Sequence, residues 1–125
     1  MVRKLTFTVA VLALLGVASP VLAQKAGPNG GMLAGKGDHQ TELLVNASEL
    51  TVYLLDGGKP HDTKGVSIKG VIQQGGKNTT ISFAEQGGKR FVAKLPAPLG
   101  KGAIVVLTGK DDHGDAISAR YVINQ

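Results

Sequence analysis

The chain has 125 residues, a formal net charge of +5 and no cysteine, which excludes disulfide bonds, thiolate metal sites and a lipid anchor on cysteine. Its lysines are scattered over turns and only 4% of its residues are aromatic, which disfavours a nucleic-acid-binding surface. A chain of this length predicts one small domain with a single thin core.

Residues 1–23 have the pattern of a cleavable secretory signal. Arg3 and Lys4 precede an apolar run of about fourteen residues, and Ala23 ends a segment of small residues before Gln24. This run is shorter than the roughly twenty residues of a membrane-spanning helix, so no stable membrane insertion is expected after cleavage. Removal of residues 1–23 from 125 would leave 102 residues, and 12 basic minus 9 acidic side chains would leave a charge of +3. An exported chain without cysteine predicts a periplasmic location.

Apolar and polar residues alternate with a period of two over nearly all of the chain after residue 24, which predicts β-strands and no helix. Residues 24–38 are expected to form an extended N-terminal segment, with a short strand near 32–34 as an option. Residues 39–125 are predicted to form a β-sandwich domain that begins with a hairpin of 40–46 and 50–55.

Glycine-rich turns separate the next predicted strands. The three strands that these turns connect are expected to form a meander: 65–74, 79–83 and 91–95. Gly70, in the middle of the first of them, predicts a bulge.

The proline-rich stretch 96–100 is predicted to cross between two sheets, because proline cannot donate to a ladder. Residues 103–108 are apolar on both faces, as in a central strand, and 117–123 alternates with its odd-numbered residues facing inward. Seven strong strands with turns every eight to twelve residues predict an all-β, immunoglobulin-like β-sandwich of about seven to eight antiparallel strands. A small β-barrel is the alternative.

Few residues after the signal carry metal-binding chemistry. The candidates are Met32, Asp38, His39, His61 and His113. Thioether, carboxylate and imidazole groups suit copper or zinc, but the spacing does not force the three histidines together, so any site would be partial and of modest affinity. The competing prediction places His39 at a strand entry and the other two histidines in solvated loops without a metal.

The acidic turn around His113 resembles the start of a calcium loop without completing one. Asp111, His113 and Asp115 alternate as its first ligands would, but Val122 stands where a bidentate glutamate is needed. The turn is therefore predicted to be a plain hairpin loop.

The sequence carries no motif of an enzyme. It has no cysteine nucleophile and no Gly-x-Ser-x-Gly or His-Glu-x-x-His pattern. Glu42, Glu49 and Glu85 are expected to face solvent rather than to form a catalytic pair. We therefore predict a protein that is not an enzyme.

One family resemblance is carried by a series of short motifs. They are Gly27-Pro28-Asn29-Gly30-Gly31, Gly37-Asp38-His39, Glu42-Leu43, Val52-Tyr53 and Asp56-Gly57-Gly58-Lys59-Pro60. This order resembles the β-rich segment on the N-terminal side of periplasmic adaptor (membrane-fusion) subunits of heavy-metal RND efflux pumps. That segment has histidine in place of Asn29 and an aromatic residue in place of His39.

The resemblance implies association with a metal-efflux or envelope system. Because the chain lacks the long helical hairpin and lipoyl-like halves of an adaptor, it is not expected to act as one. The first hypothesis is a non-catalytic periplasmic binding module that holds an efflux adaptor or another envelope protein through a sheet edge or residues 27–39. The second is weak copper or zinc binding, or buffering, by His39 with Met32 or Asp38, aided by His61 or His113. A structural or interaction protein of another kind is the remaining alternative.

Overall fold

A computed structural model describes residues 24–124, and the predicted signal at 1–23 lies outside the described residues. The described part holds ten β-strands. They are β1 (Met32–Lys36), β2 (His39–Val45), β3 (Glu49–Asp56), β4 (Lys59–His61), β5 (Ser67–Gln74), β6 (Lys77–Ser82), β7 (Ala84–Gln86), β8 (Arg90–Lys94), β9 (Ile104–Lys110) and β10 (Ala116–Val122). Over this range there is no helix long and apolar enough to cross a bilayer.

The strands form two antiparallel sheets. Sheet A has the order β1-β2-β3-β8-β7, with the short β4 also paired to β3, and sheet B has the order β10-β9-β5-β6. The sheets pack so that β10 contacts β1 and β2 while β6 contacts β8. The predicted β-sandwich is confirmed, and two separate sheets are found rather than the small barrel.

A single core fills the space between the sheets. Its most deeply buried members are Leu43, Leu50, Val52, Val105, Leu107, Tyr121 and Ile123. The predicted inward face of the last strand is confirmed, because Ala119, Tyr121 and Ile123 are buried and Ile117 packs against the core. The predicted central position of 103–108 is confirmed as well, since β9 lies between β10 and β5.

Tyr121 ties the two sheets together. Its hydroxyl donates to the carbonyl oxygen of Thr41 at 2.7 Å and lies 2.5 Å from the Thr41 hydroxyl. A buried tyrosine needs such a partner, because an unpaired hydroxyl in an apolar core is costly. The bond fixes β10 against β2.

The predicted three-stranded meander is wrong. Residues 67–74 and 77–82 do form a hairpin, but the chain leaves sheet B at Phe83, and β7 pairs with β8 in sheet A. Phe83 packs against the core at this crossing between β6 and β7, where the predicted meander would have continued in sheet B. The predicted crossing at 96–100 is confirmed, because β8 and β9 belong to different sheets.

Gly70 is not a bulge. It pairs in regular register with Ile81 on one side and Leu107 on the other. A Cβ atom at this position would lie 2.7 Å from Ile81 Cγ1 and 2.8 Å from Phe83 Cε2. Glycine is therefore needed here for core packing.

The structure has more strands than the seven to eight predicted, because β4 and β7 have only three residues and no clear alternation. Pro60 lies within β4 opposite Leu55, which an edge strand tolerates. The optional strand near 32–34 is β1, which pairs with β2 along its length.

Candidate binding cleft

The expectation that Glu42 faces solvent is wrong, since its side chain is 0% exposed. Asn29 donates to its carboxylate through the backbone N–H, 2.9 Å from Oε2, and through Nδ2, 2.9 Å from Oε1. The N–H of Gly31 donates to Oε2 at 2.8 Å. Burial of this group is tolerated because N–H donors replace its water.

The glycines of the 27–31 motif make room for that carboxylate. A Cβ atom on Gly27 would lie 2.3 Å from Glu42 Cδ, and one on Gly31 would lie 2.6 Å from the carbonyl oxygen of Leu43. Residues 27–31 therefore wrap the Glu42 side chain and fix the chain just before β1. The motif has a structural role in this fold.

The other two glutamates differ from Glu42. Glu85 is exposed, as expected, whereas Glu49 is half-buried. Glu85 Oε1 accepts a hydrogen bond from the Thr63 hydroxyl at 2.9 Å and another from the N–H of Gly88. Glu85 thereby ties the segment before β5 to the β7–β8 turn.

A cleft of about 320 Å³ opens at one end of the sandwich, where the β1–β2 turn, the end of β3, β4 and the β9–β10 loop meet. The buried Leu54 and Leu55 and the half-buried Ile117 give it an apolar lining. Five titratable side chains line it as well: Lys36, His39, His61, Asp111 and Asp115. An apolar cleft with a few polar groups is the usual form of a ligand site.

The register of sheet A directs both histidines to this cleft. His39 begins β2 opposite Asp56, and His61 ends β4 opposite Leu54 on the other side of β3. Two strand spacings and two residues along β3 place their backbones about 12 Å apart. His39 shares the inward face of β2 with Thr41, and His61 shares the inward face of sheet A with Leu54.

His61 is held in one orientation. Its Nδ1 lies 2.7 Å from the carbonyl oxygen of Asp62. Because a carbonyl can only accept, Nδ1 carries the proton, and in the neutral ring Nε2 is left with a free lone pair. This arrangement is common in metal-binding histidines.

Asp111 fixes the conformation of the β9–β10 loop, which forms another wall of the cleft. Its Oδ1 accepts from the N–H groups of His113 at 2.9 Å and Asp115 at 2.8 Å. Burial acts to raise the pKa of Asp111, but these donors, with the positive charges of His113 and His39, outweigh it and hold the pKa below its ordinary value. The predicted hairpin loop at 111–115 is found between the paired β9 and β10.

Of the five metal candidates, the structure brings only His39 and His61 into one cleft. Met32 lies at the start of β1, where it pairs with Leu43. It is four residues, or about 13 Å, from Lys36, the residue of β1 that pairs with His39. Asp38 is exposed in the β1–β2 turn, and the side chain of His113 is 74% exposed at a loop tip, 3.8 Å from Asp112. Between residues 24 and 124, no three His, Cys, Asp or Glu side chains lie close enough together to hold a metal ion.

A second depression, of about 490 Å³, lies at the opposite end of sheet B. Residues 73–78 and 101–103 line it, and no histidine or acidic residue is among them. It is a polar trough between turns, whereas the first cleft combines apolar lining with titratable groups. The first cleft is therefore the better candidate site.

Two features that alternation alone does not resolve have other signals in the sequence. Glu42 stands in a strand whose two faces both carry leucine, at Leu43 and Leu44, which indicates burial of both faces. Asp111 and Asp115 alternate in the sequence as calcium ligands would, and in the structure they begin and end the loop that forms one wall of the cleft.

Comparison with known proteins gives no relative from which a function could be taken. No family model, curated protein or solved structure matches the chain. The resemblance to the adaptor segment stays a prediction.

Proposed function

We propose that this protein is a non-catalytic periplasmic binding module that holds a segment of a partner protein in the cleft between His39 and Ile117. The observation that carries the proposal is the cleft itself, with Leu54, Leu55 and Ile117 beneath a rim of histidine and aspartate. Apolar lining supplies affinity and the polar rim supplies orientation. A periplasmic location is supported by the predicted signal at 1–23.

The size of the cleft suits one apolar side chain with its flanking backbone rather than a whole domain surface. Its rim offers Lys36 as well as Asp111 and Asp115, so charges of both signs surround the apolar lining. A partner segment with an apolar anchor between polar residues fits this pattern, because buried anchors carry most of the affinity of an interface. The family resemblance favours an efflux adaptor or another envelope protein as that partner.

The partner proposal can be tested by calorimetric titration with the periplasmic adaptor subunit of a heavy-metal RND pump from the same genome. Ile117→Ser should weaken binding by about tenfold or more, equivalent to about 1.4 kcal/mol, because it removes apolar contact in the cleft. Ile104→Ser is the matched control, since Ile104 is also half-buried in sheet B but lies at the other end. Absence of binding, or equal loss in both variants, would contradict the proposal.

A second candidate function is weak binding of copper or zinc by His39 and His61. The observation that favours it is the bond from His61 Nδ1 to the Asp62 carbonyl, which leaves Nε2 free to bind a metal in the cleft that also holds His39. Two imidazoles suit copper or zinc but leave the remaining ligands to water or to a partner. Modest affinity is therefore expected.

Calorimetric titration with copper(I), copper(II) and zinc(II) tests this candidate. His39→Ala and His61→Ala should each abolish most of the binding, whereas His113→Ala should not, because His113 lies outside the cleft. No heat with any of the three ions would eliminate metal binding and leave the partner proposal standing.

A further inference from the structure

Two of the long edge strands of the sandwich are covered by the N-terminal segment. At β1, the N–H of Leu33 donates to the carbonyl oxygen of Lys25 at 2.8 Å. At β10, the side-chain amide of Gln24 makes the two hydrogen bonds that a neighbouring strand would make. Its Oε1 accepts from the N–H of Val122 and its Nε2 donates to the carbonyl oxygen of Arg120, each at 3.2 Å. Part of each of these edges is thereby already hydrogen-bonded.

The remaining edges differ in length. β4 and β7 have three residues each, and β4 contains Pro60, which cannot donate to a ladder. β6 has six residues, and no strand of the described part pairs with its outer side. An edge of this length is a ready template for pairing.

The β5–β6 turn determines which groups of β6 point outward. Gly75 and Gly76 have φ values of 59° and 74°, as in a two-residue type I′ turn. Gln74 and Lys77 therefore form the closing hydrogen-bonded pair, and alternate residues beyond Lys77 direct their N–H and C=O groups away from β5. These outward residues are Asn78, Thr80 and Ser82.

The side chains of β6 do not prevent another strand from pairing with this edge. Five of its six residues are exposed, and it has neither a proline nor a bulge. Its one charge, on Lys77, stands at its first residue. Thr79 and Thr80 are β-branched and favour a strand.

We propose that β6 pairs antiparallel with β6 of a second copy of this chain, about a two-fold axis at Thr80. A two-fold axis places one residue opposite its own copy, and Thr80 is the middle one of the three outward residues. Thr80 then faces Thr80 of the second copy, and Asn78 faces Ser82 of the second copy. The pairing forms six main-chain hydrogen bonds and joins two four-stranded sheets into one of eight strands.

Self-pairing is favoured over a strand of another protein by the charge pattern. In this register Lys77 lies opposite Phe83 of the second copy, so no like charges meet across the junction. The outward residues carry no charge that a partner of opposite sign would be needed to match. The junction is on the edge of sheet B away from β10, so the binding cleft of each copy, lined by residues of β10, stays open. The dimer is therefore independent of the function proposed for that cleft.

Sedimentation equilibrium over a concentration series tests the proposal. Thr80→Pro removes the outward N–H from both copies, two of the six hydrogen bonds, at an edge position that tolerates proline. It should weaken dimerisation about tenfold or more, whereas Thr80→Val, which keeps the N–H and the shape, should stay within about twofold. A chain that is monomeric throughout the series, or a Thr80→Pro dimer as tight as the original, would overturn the proposal.

A distance measurement tests the register without depending on the proline variant. The chain has no cysteine, so Gln73→Cys carries one spin label per copy. Gln73 pairs with Asn78, and Ser82 pairs with Lys69, so three strand spacings and four residues separate the two labelled backbone positions by about 20 Å. A dimer whose labels lie at more than about twice that distance would rule out this pairing.

Discussion

Replacement of Glu42 by glutamine tests how the N-terminal loop is held. Glu42 is completely buried, and N–H groups of Asn29 and Gly31 donate to both of its oxygens. Glu42→Gln keeps the shape of the side chain but turns one acceptor oxygen into an NH₂ group that faces those donors. The new NH₂ group faces Asn29 Nδ2, so that side-chain bond is lost or the exposed Asn29 amide must turn over, and the backbone bonds from Asn29 and Gly31 lose their charge assistance.

The expected cost is large for a domain of this size. A hydrogen bond to a charged group contributes about 1.5–3 kcal/mol and a neutral one about 1 kcal/mol, and the substitution affects three such bonds. These terms together give a loss of about 3 kcal/mol in the free energy of unfolding, against the roughly 5–15 kcal/mol of a typical domain. The melting temperature should fall by about 12 °C or more.

Urea unfolding of Glu42→Gln measures this loss directly. Glu49→Gln is the control, because Glu49 is half-buried and should change the free energy of unfolding by no more than about 0.5 kcal/mol. Amide hydrogen exchange at Asn29 and Gly31 should accelerate in the Glu42 variant only. A loss below about 1 kcal/mol with unchanged exchange would refute the reasoning, since the carboxylate would then not be what fixes residues 27–31.

The contacts of Tyr121, Gly70 and Asp111 can each be tested by a measurement of their own. Burial and the charge of Glu42 raise the pKa of Tyr121, although its hydrogen bond with Thr41 acts to lower it. The contribution of the neutral Tyr121 to the free energy of unfolding is therefore fully present below the ordinary tyrosine pKa of about 10 and falls as pH rises above it. Tyr121→Phe should cost about 2 kcal/mol at pH 7 and flatten that alkaline loss in urea unfolding. Gly70→Ala should destabilise by about 1–3 kcal/mol, because its Cβ atom would meet Ile81 and Phe83, whereas Gly100→Ala, with its nearest atom 3.6 Å away, should be close to neutral in the same assay. In an NMR acid titration, the carboxyl of Asp111 should titrate below the ordinary aspartate pKa of about 3.9. Its contribution to the stability of the loop is therefore present above that pH and is lost as pH falls through the lowered pKa. A midpoint at or above about 3.9 would contradict the loop hydrogen bonds.

Features of the fold that depend on nearby residues could be predicted from the sequence. The Gly75-Gly76 turn and the alternation around it predicted the β5–β6 hairpin, because a type I′ turn needs two residues with positive φ. The central position of β9 followed from its two apolar faces. The crossing at Phe83 could not be predicted in the same way, because alternation does not say in which sheet a strand pairs.

Two features depend on contacts between distant segments. Glu42 becomes buried only because residues 27–31 fold back over it, and the leucines at 43 and 44 indicate burial of both strand faces without indicating which segment covers Glu42. His39 and His61 converge because β3 pairs with β2 on one side and β4 on the other. β4 has only three residues, too few for a period to be recognised, so the convergence was outside what the pattern could predict.

The most direct test of the binding cleft is an amide chemical-shift map of the ¹⁵N-labelled protein during titration with the periplasmic adaptor subunit. The account predicts saturable shifts concentrated at His39, Leu54, His61 and Ile117, which line the cleft, and their loss in Ile117→Ser. No shifts at these residues, or shifts confined to β6 and the polar trough at the opposite end, would contradict the assignment of the cleft as the binding site.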